Sequence, residues 1–172
     1  MPTSLPAIVI VIAMLGFVAT AVRPSVETAQ REQVETRSQE LAELFRFAAR
    51  ESRLSNRTIG VFFDSANGSF SVVEADMSTQ PFNRLGVVNH PISKQPYIWQ
   101  ADANVQTLTT TPPFNFGTQG DYDRVAFDRW GTPFIRVGDQ NHPLQLANIT
   151  LTGNRHARRI NIARITGRVQ VL

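Results

Sequence analysis

The chain has 172 residues, 42% of them hydrophobic and 18% charged, which fits one folded domain and excludes a disordered chain. It has no Cys, so disulfide staples, thiolate metal sites and Cys nucleophiles are excluded. The net charge is only +3, yet every basic residue but Lys94 is Arg, and no Asp or Glu follows Asp139.

Leu5 to Val22 carries no charged residue. At helical rise it spans about 27 Å, close to the hydrocarbon thickness of a bilayer. A soluble core helix rarely runs so long without a polar face. The run therefore reads as a membrane anchor. A cleaved secretory signal is the alternative, with Ala19-Thr20-Ala21 as its A-x-A site. Against that, no Lys or Arg precedes the apolar run. Pro6 falls in the first turn, and Gly16 loosens the middle. Arg23-Pro24 predicts the end of this helix with a bend, Arg23 lying at headgroup level.

Ser25 to Ser55 predicts a second helical segment, coaxial with the first and N-capped by Ser25. Val34, Leu41, Leu44, Phe45 and Ala48 fall on one stripe. The i,i+4 pairs Glu27–Arg31 and Arg31–Glu35 and the i,i+3 pair Glu43–Arg46 support it. The stripe is weak before Val34, so that half is predicted to meet partner helices or solvent. The second half is predicted to pack on a sheet. The heptad fails at Arg37, which argues against a free-standing coiled coil.

After Asn56 the period changes to two. Thr58–Asp64 and Ser69–Glu74 flank Asn67-Gly68, a hairpin signal. The middle, Ala75 to Gln119, is rich in Pro and predicts short strands at Leu85–Val88 and Val105–Thr110. Tyr97 and Trp99 are predicted to anchor this loop by burial, a partner contact being the alternative. Asp123–Asp128 and Pro133–Val137 flank a turn at Arg129–Thr132, and Gly138–Asn141 is a further turn. Leu144–Thr152 and Ala157–Ile165 predict strands around a turn at Gly153-Asn154. Thr166-Gly167 then predicts a tight hairpin pairing Ile162 with Val171. Ile160, Ile162, Val169 and Val171 share its core face, and Arg164 lands on that face near the tip.

Arg155, Arg158, Arg159, Arg164 and Arg168 crowd the basic end. They suit an anionic partner such as nucleic acid or a lipid headgroup. They equally suit a solvated edge strand, where Arg discourages edge-to-edge pairing. His90, His142 and His156 are scattered, with no HxxxH or HExxH, and Asp121, Asp123 and Asp128 lack the calcium-loop pattern. There is no GxGxxG, P-loop or GxSxG. The expectation is a protein without catalysis, metal or cofactor.

Four stretches carry a family resemblance. They are Leu5-Pro6-Ala7-Ile8-Val9-Ile10-Val11-Ile12-Ala13-Met14-Leu15-Gly16, the helix Leu41 to Phe63, Val125-Ala126-Phe127-Asp128-Arg129-Trp130-Gly131, and the ending Ile160 to Leu172. With them the chain resembles the type IV pilin-like proteins, above all the minor pseudopilin H family of type II secretion and the T-type minor type IV pilins. The family has Gly before its cleavage point, commonly Phe after it, and a Glu within the apolar segment. Here those positions read Pro2, Thr3 and Ala7.

The resemblance implies an α+β fold, one long N-terminal helix packed on a small antiparallel β domain. Residues 1–24 would be the membrane and assembly helix, 25–55 the amphipathic extension and 56–172 the β domain. It implies a non-enzymatic subunit of a pseudopilus or pilus in the bacterial inner membrane, single-pass, with its β domain in the periplasm. The implied partners are other pilin or pseudopilin subunits and inner-membrane lipid, together with secreted cargo or DNA. Ile8, Ile12, Leu15, Gly16 and Val22 would carry the lateral packing of helices. A DNA-uptake role for the C-terminal arginines is the alternative, as is an exported β domain with a cleaved signal.

Overall fold

The computed structural model describes residues 5–78, 82–102, 104–107, 113–117 and 121–172, with side chains from Glu27 onward except Asp121. One unbroken helix, α1 (Leu5–Ser55), replaces the two predicted segments. Arg23-Pro24 does not end it, and Ser25 is an interior residue rather than an N-cap. Pro costs about 3 kcal/mol inside a helix. Starting a second helix would cost a new nucleus, whereas continuing the first needs only elongation. Asn56 stops it, with φ at 54°, the left-handed conformation of a C-terminal cap.

Among the described residues the strands form three antiparallel sheets. β1 (Ile59–Asp64) and β2 (Ser69–Asp76) make the predicted hairpin, in register from Ile59↔Glu74 to Asp64↔Ser69. The Asp64 carboxylate accepts from Ala66 N–H and Asn67 Nδ2 and so fixes the turn. β3 (Asn83–Val87) and β4 (Ile98–Gln100) both pair with the outer side of β2. On the other side β1 pairs with β8 (Arg124–Phe127). β9 (Pro133–Val137) and β10 (Gln140–Pro143) then complete a seven-stranded sheet. A small sheet joins β6 (Phe114–Asn115) to β7 (Asp121–Tyr122) and β11 (Leu146–Ala147). The third sheet runs β14 (Val169–Val171), β13 (His156–Ile162), β12 (Ile149–Gly153) and β5 (Gln106–Thr107).

The second half of α1 is the centre of the core. Val34, Leu41, Leu44, Phe45 and Ala48 are all buried, as the stripe predicts. They meet Ile59, Val61, Phe63, Phe70, Val72, Val125 and Ile135 from the large sheet, and Ile149, Leu151, Ile160, Ile162 and Val169 from the third. Phe45 packs edge-on against Phe70 (5.7 Å) and Phe114 (6.1 Å). Ser38 and Ser52, buried among these side chains, donate to the carbonyls of Val34 and Ala49 in their own helix, so no hydroxyl is left unpaired.

Three expectations for the β domain give way. Residues 59–63 of β1 are buried on both faces rather than alternately, because Phe62, Val73, Ala75, Phe82, Ala126 and Phe134 form a second cluster on the sheet's outer face. The predicted strand Leu144–Thr152 is two strands in different sheets, β11 and β12, divided at Asn148, whose N–H donates to Pro113 O. The C-terminal hairpin pairs Ile162 with Val169, two residues from the predicted register. Its loop is longer, closed by Ala163 N–H to Arg168 O and Gly167 N–H to Ala163 O. A shift of two keeps the faces, so Ile160, Ile162 and Val169 are buried as predicted. Arg164 lies exposed in that loop, not on the apolar face.

Truncating Phe45 to Ala empties the place where helix and sheets converge. The variant should lose about 3–5 kcal/mol of stability, read from urea denaturation of the purified protein. A loss under about 1 kcal/mol would show that the site does not organise the core.

Candidate functional site

The sequence points to two surfaces, the N-terminal half of α1 and the basic C-terminal strands. Ile8, Ile12, Leu15, Gly16 and Val22 lie on the helix backbone, but their side chains fall outside the described residues. Among the described residues no helix is long and apolar enough to cross a membrane. The run Leu5–Val22, on which that expectation rests, lies outside the described side chains. Val34 is the first buried position of α1 among those described. The helix extends 29 residues N-terminal to it, about 43 Å at helical rise.

From Gln30 onward polar contacts tie helix to head. Asn154 Nδ2, at the β12–β13 turn, donates to Gln30 Oε1 at 2.9 Å. Arg158 Nε on β13 donates to Glu35 Oε2 at 2.6 Å. Arg46 Nη2 donates to the carbonyl of Val169 at 3.1 Å. Val34 and β12 approach so closely that a Cβ on Gly153 would lie 2.7 Å from Val34 Cγ2 and 2.7 Å from Asn104 O. Glycine is the residue that this crossing admits. At the other end Gly131 has φ 76°, and a Cβ there would sit 2.9 Å from Ala49 O. The Trp130-Gly131 turn is thereby seated on the last turns of the helix.

The residue that breaks the heptad, Arg37, is a docking point. Its guanidinium hydrogen-bonds Glu40 and the carbonyl of Gln100, and pairs with Asp102 Oδ2 at 3.3 Å. It also lies 4.8 Å from the Trp99 ring centroid, a cation–π contact. Trp99 Nε1 donates back to Arg37 O at 3.1 Å. Asp102 accepts from Val105 N–H and Asn104 N–H, which turns the chain into β5. The Val105 N–H first, and Arg37 further, hold the Asp102 carboxyl below its ordinary range. Trp99 is buried as predicted, and Tyr97 packs on Phe47 at 5.0 Å. The failed heptad position was the available signal for this contact, but nothing in the sequence named its partner.

The five arginines are not gathered into one patch. Arg158 is drawn to Glu35. Arg155 is exposed at one end of β13 and Arg164 at the other, separated by on the order of 25 Å of strand. Arg159 and Arg168 are exposed. Among the described residues no three His, Asp or Glu side chains are placed to hold a metal ion. The His90 ring nitrogen Nδ1 accepts from the Ile92 and Ser93 N–H groups, and His142 stacks on Phe116 at 4.3 Å. Asp128 Oδ1 accepts from Trp130 and Thr132 N–H, and Asp123 pairs with Arg124. These groups shape turns and packing.

No protein-family model matches the sequence, and no curated protein does. Among solved structures, the chain is similar to the minor pseudopilin EpsH from the Type 2 Secretion System of Vibrio cholerae. The TM-score is 0.52 at 11% identity, over 81% of this chain and 95% of that one. The type IV minor pilin FimU of Pseudomonas aeruginosa PAO1 gives a TM-score of 0.49 at 15% identity, over 84% and 92%. At such identity the EpsH likeness is one of fold, and it is the pilin-like α+β fold that the resemblance implies.

Arg158 holds the Glu35 carboxyl below the usual range, Gln39 adding to it. On acidification the unfolded chain takes up this proton near pH 4.3, while the folded chain resists until lower pH. The pair's contribution is thus present above about pH 4.3 and lost below it. Both side chains are partly solvated, which limits it to about 1 kcal/mol. Glu35→Gln should be destabilising at pH 7 and should approach wild type as the pH falls below about 4.3 in thermal melts. A deficit that does not shrink as the pH falls would place its origin in packing instead.

Proposed function

We propose that this chain is a non-enzymatic minor subunit of a pilin-type filament, either a type II secretion pseudopilus or a type IV pilus. One observation carries the reading. A single continuous helix begins with the uncharged stretch Leu5–Val22 by sequence and forms, with its second half, the core of the head. A head built around the continuation of its own anchor cannot swivel freely on it. Packing of neighbouring apolar helices would therefore set the position of each head. The EpsH likeness in fold supports the same reading.

In this reading residues 1–24 anchor and assemble the subunit in the bacterial inner membrane. Residues 25–55 belong with the β domain, 56–172, which stands in the periplasm and offers its surface to other subunits and to cargo. Ile8, Ile12, Leu15, Gly16 and Val22 are the helix positions that meet lipid and sibling helices. Small Gly16 would let backbones approach. Ala7 stands where the family has Glu, so charge pairing with a neighbour's N-terminal amine is not available at that position. Assembly then rests on apolar packing.

Ile12→Asp tests this in the source cell. A carboxylate at the middle of a membrane helix costs about 3 kcal/mol. The variant should leave the inner-membrane fraction and lose cross-links to other pilin subunits, while the wild type keeps both. Unchanged fractionation and cross-linking would overturn the proposal. A wild-type protein found only as a soluble chain starting after Ala21 would favour the cleaved signal.

A further inference from the structure

An open groove of about 720 Å³ runs between the second half of α1 and the C-terminal strand. Its helix wall carries Gln39, Arg46 and Arg53, seven residues apart and hence on one line of the helix. Its other wall is β14, the edge strand of the third sheet. The hydrogen-bond phase of that edge is fixed. Arg159 and Leu172 exchange both backbone bonds, and Ala163 N–H donates to Arg168 O. In an antiparallel pair the intervening residues point their N–H and C=O groups away from the partner strand. Val169 and Val171 thus aim theirs outward, off the sheet. Val169 O is taken by Arg46. Val169 N–H, Val171 N–H and Val171 O have no partner among the described residues. No acidic residue lines the groove, while Arg46, Arg53 and Arg168 do. Arg46 is shared with Glu43, but Arg53 and Arg168 have no ion-pair partner among the described residues.

We infer that this groove receives an extended acidic segment of another polypeptide, added as a further strand alongside β14. The unpaired main-chain groups of β14 supply the strand bonds, as in other cases of strand addition at a sheet edge. The arginines supply the selection. Alternate side chains of the incoming strand turn toward the helix wall, where carboxylates meet Arg46 and Arg53, while Arg168 stands at the entrance. A basic or neutral strand finds the same backbone groups but no counter-charge. The site is a feature of the head and does not depend on the membrane reading of residues 1–24.

The test uses the full-length protein in detergent and two fluorescein-labelled hexapeptides, one alternating Glu with Val and the other Lys with Val. Fluorescence anisotropy should show the Glu peptide binding at least about tenfold more tightly than the Lys peptide. Val171→Pro removes one outward N–H that the ladder does not use, so it should keep the wild-type circular dichroism and melting temperature. It should nevertheless weaken the Glu peptide about tenfold or more, and Arg168→Gln should weaken it about threefold. Independently, amide hydrogen exchange at Val169 and Val171 in the wild type should slow when the Glu peptide is added. Equal binding of the two peptides, or unchanged exchange at both amides, would overturn the proposal. So would displacement of the Glu peptide by a single-stranded DNA dodecamer at lower concentration than by unlabelled peptide, which would assign the arginines to phosphates.

Discussion

Phe45 stands where the helix, the large sheet and the short β6 strand meet, its ring edge-on to Phe70 and Phe114. Phe70 in turn packs on Phe63 at 4.8 Å and on Trp99 at 6.1 Å. The large and third sheets are separate ladders, and both pack on the helix face between them. Remove the helix and the apolar side chains of both sheets that pack on it lose that cover. Leaving one Phe side chain exposed to water rather than buried costs about 1.5–3 kcal/mol, and here several such side chains pack on a single element. The dependence is mutual, because residues 34–52 are too rich in apolar positions to stand as a solvated helix. Helix and head are therefore one folding unit, and any displacement of the helix axis is carried into the sheets. That mechanical continuity arises from packing alone.

The outer face of the large sheet has its own solution. Gly60 and Ala126 are adjacent across β1 and β8, and their small size leaves a depression there. Phe82 fills it, so closely that a Cβ on Gly60 would lie 2.8 Å from its ring. Phe82 and Phe62 meet edge-on at 5.4 Å. Arg124 then closes the cluster, with its guanidinium 4.6 Å from the Phe62 ring, one hydrogen bond to Phe82 O and two to Asp123. Arg84 covers the same ring from 4.8 Å. The centre of the sheet, around β1, is thus covered on both faces without a second layer of helices, whereas β3 at its edge is exposed throughout.

The amphipathic stripe, the first hairpin and the turn at Arg129–Thr132 were legible because each rests on local physics. A 3.6-residue period, an Asn-Gly turn and a Gly with positive φ declare themselves within a few residues. What stayed hidden depends on distant parts of the chain. Pro24 looks like a terminus until the cost of nucleating a second helix is weighed against one lost bond. Phe62 looks like the wet face of a strand because Phe82, which covers it, lies twenty residues away. The final hairpin misled for a subtler reason. Thr166-Gly167 has the composition of a two-residue turn, but Gly167 supplies its positive φ to a longer loop, and only the parity of the register survived. The arginines were visible as charge, yet Glu35, the partner of Arg158, sits on an element 123 residues earlier.

The near-absence of lysine follows from how these contacts are made. Arg37 engages Glu40, Gln100 O and Asp102 while lying over the face of Trp99. Arg124 binds a carboxylate, a carbonyl and an aromatic ring together, and Arg46 bridges Glu43 to the backbone of β14. Each needs a flat cation with several donors in fixed directions. A lysine ammonium presents a compact, strongly hydrated charge and could satisfy one of these partners at a time. Both sheets of the head pack on one helix, and polar contacts hold its margins. Multi-point arginines at those margins hold β4 and Asp102, the outer cluster and the C-terminal edge without enlarging the core.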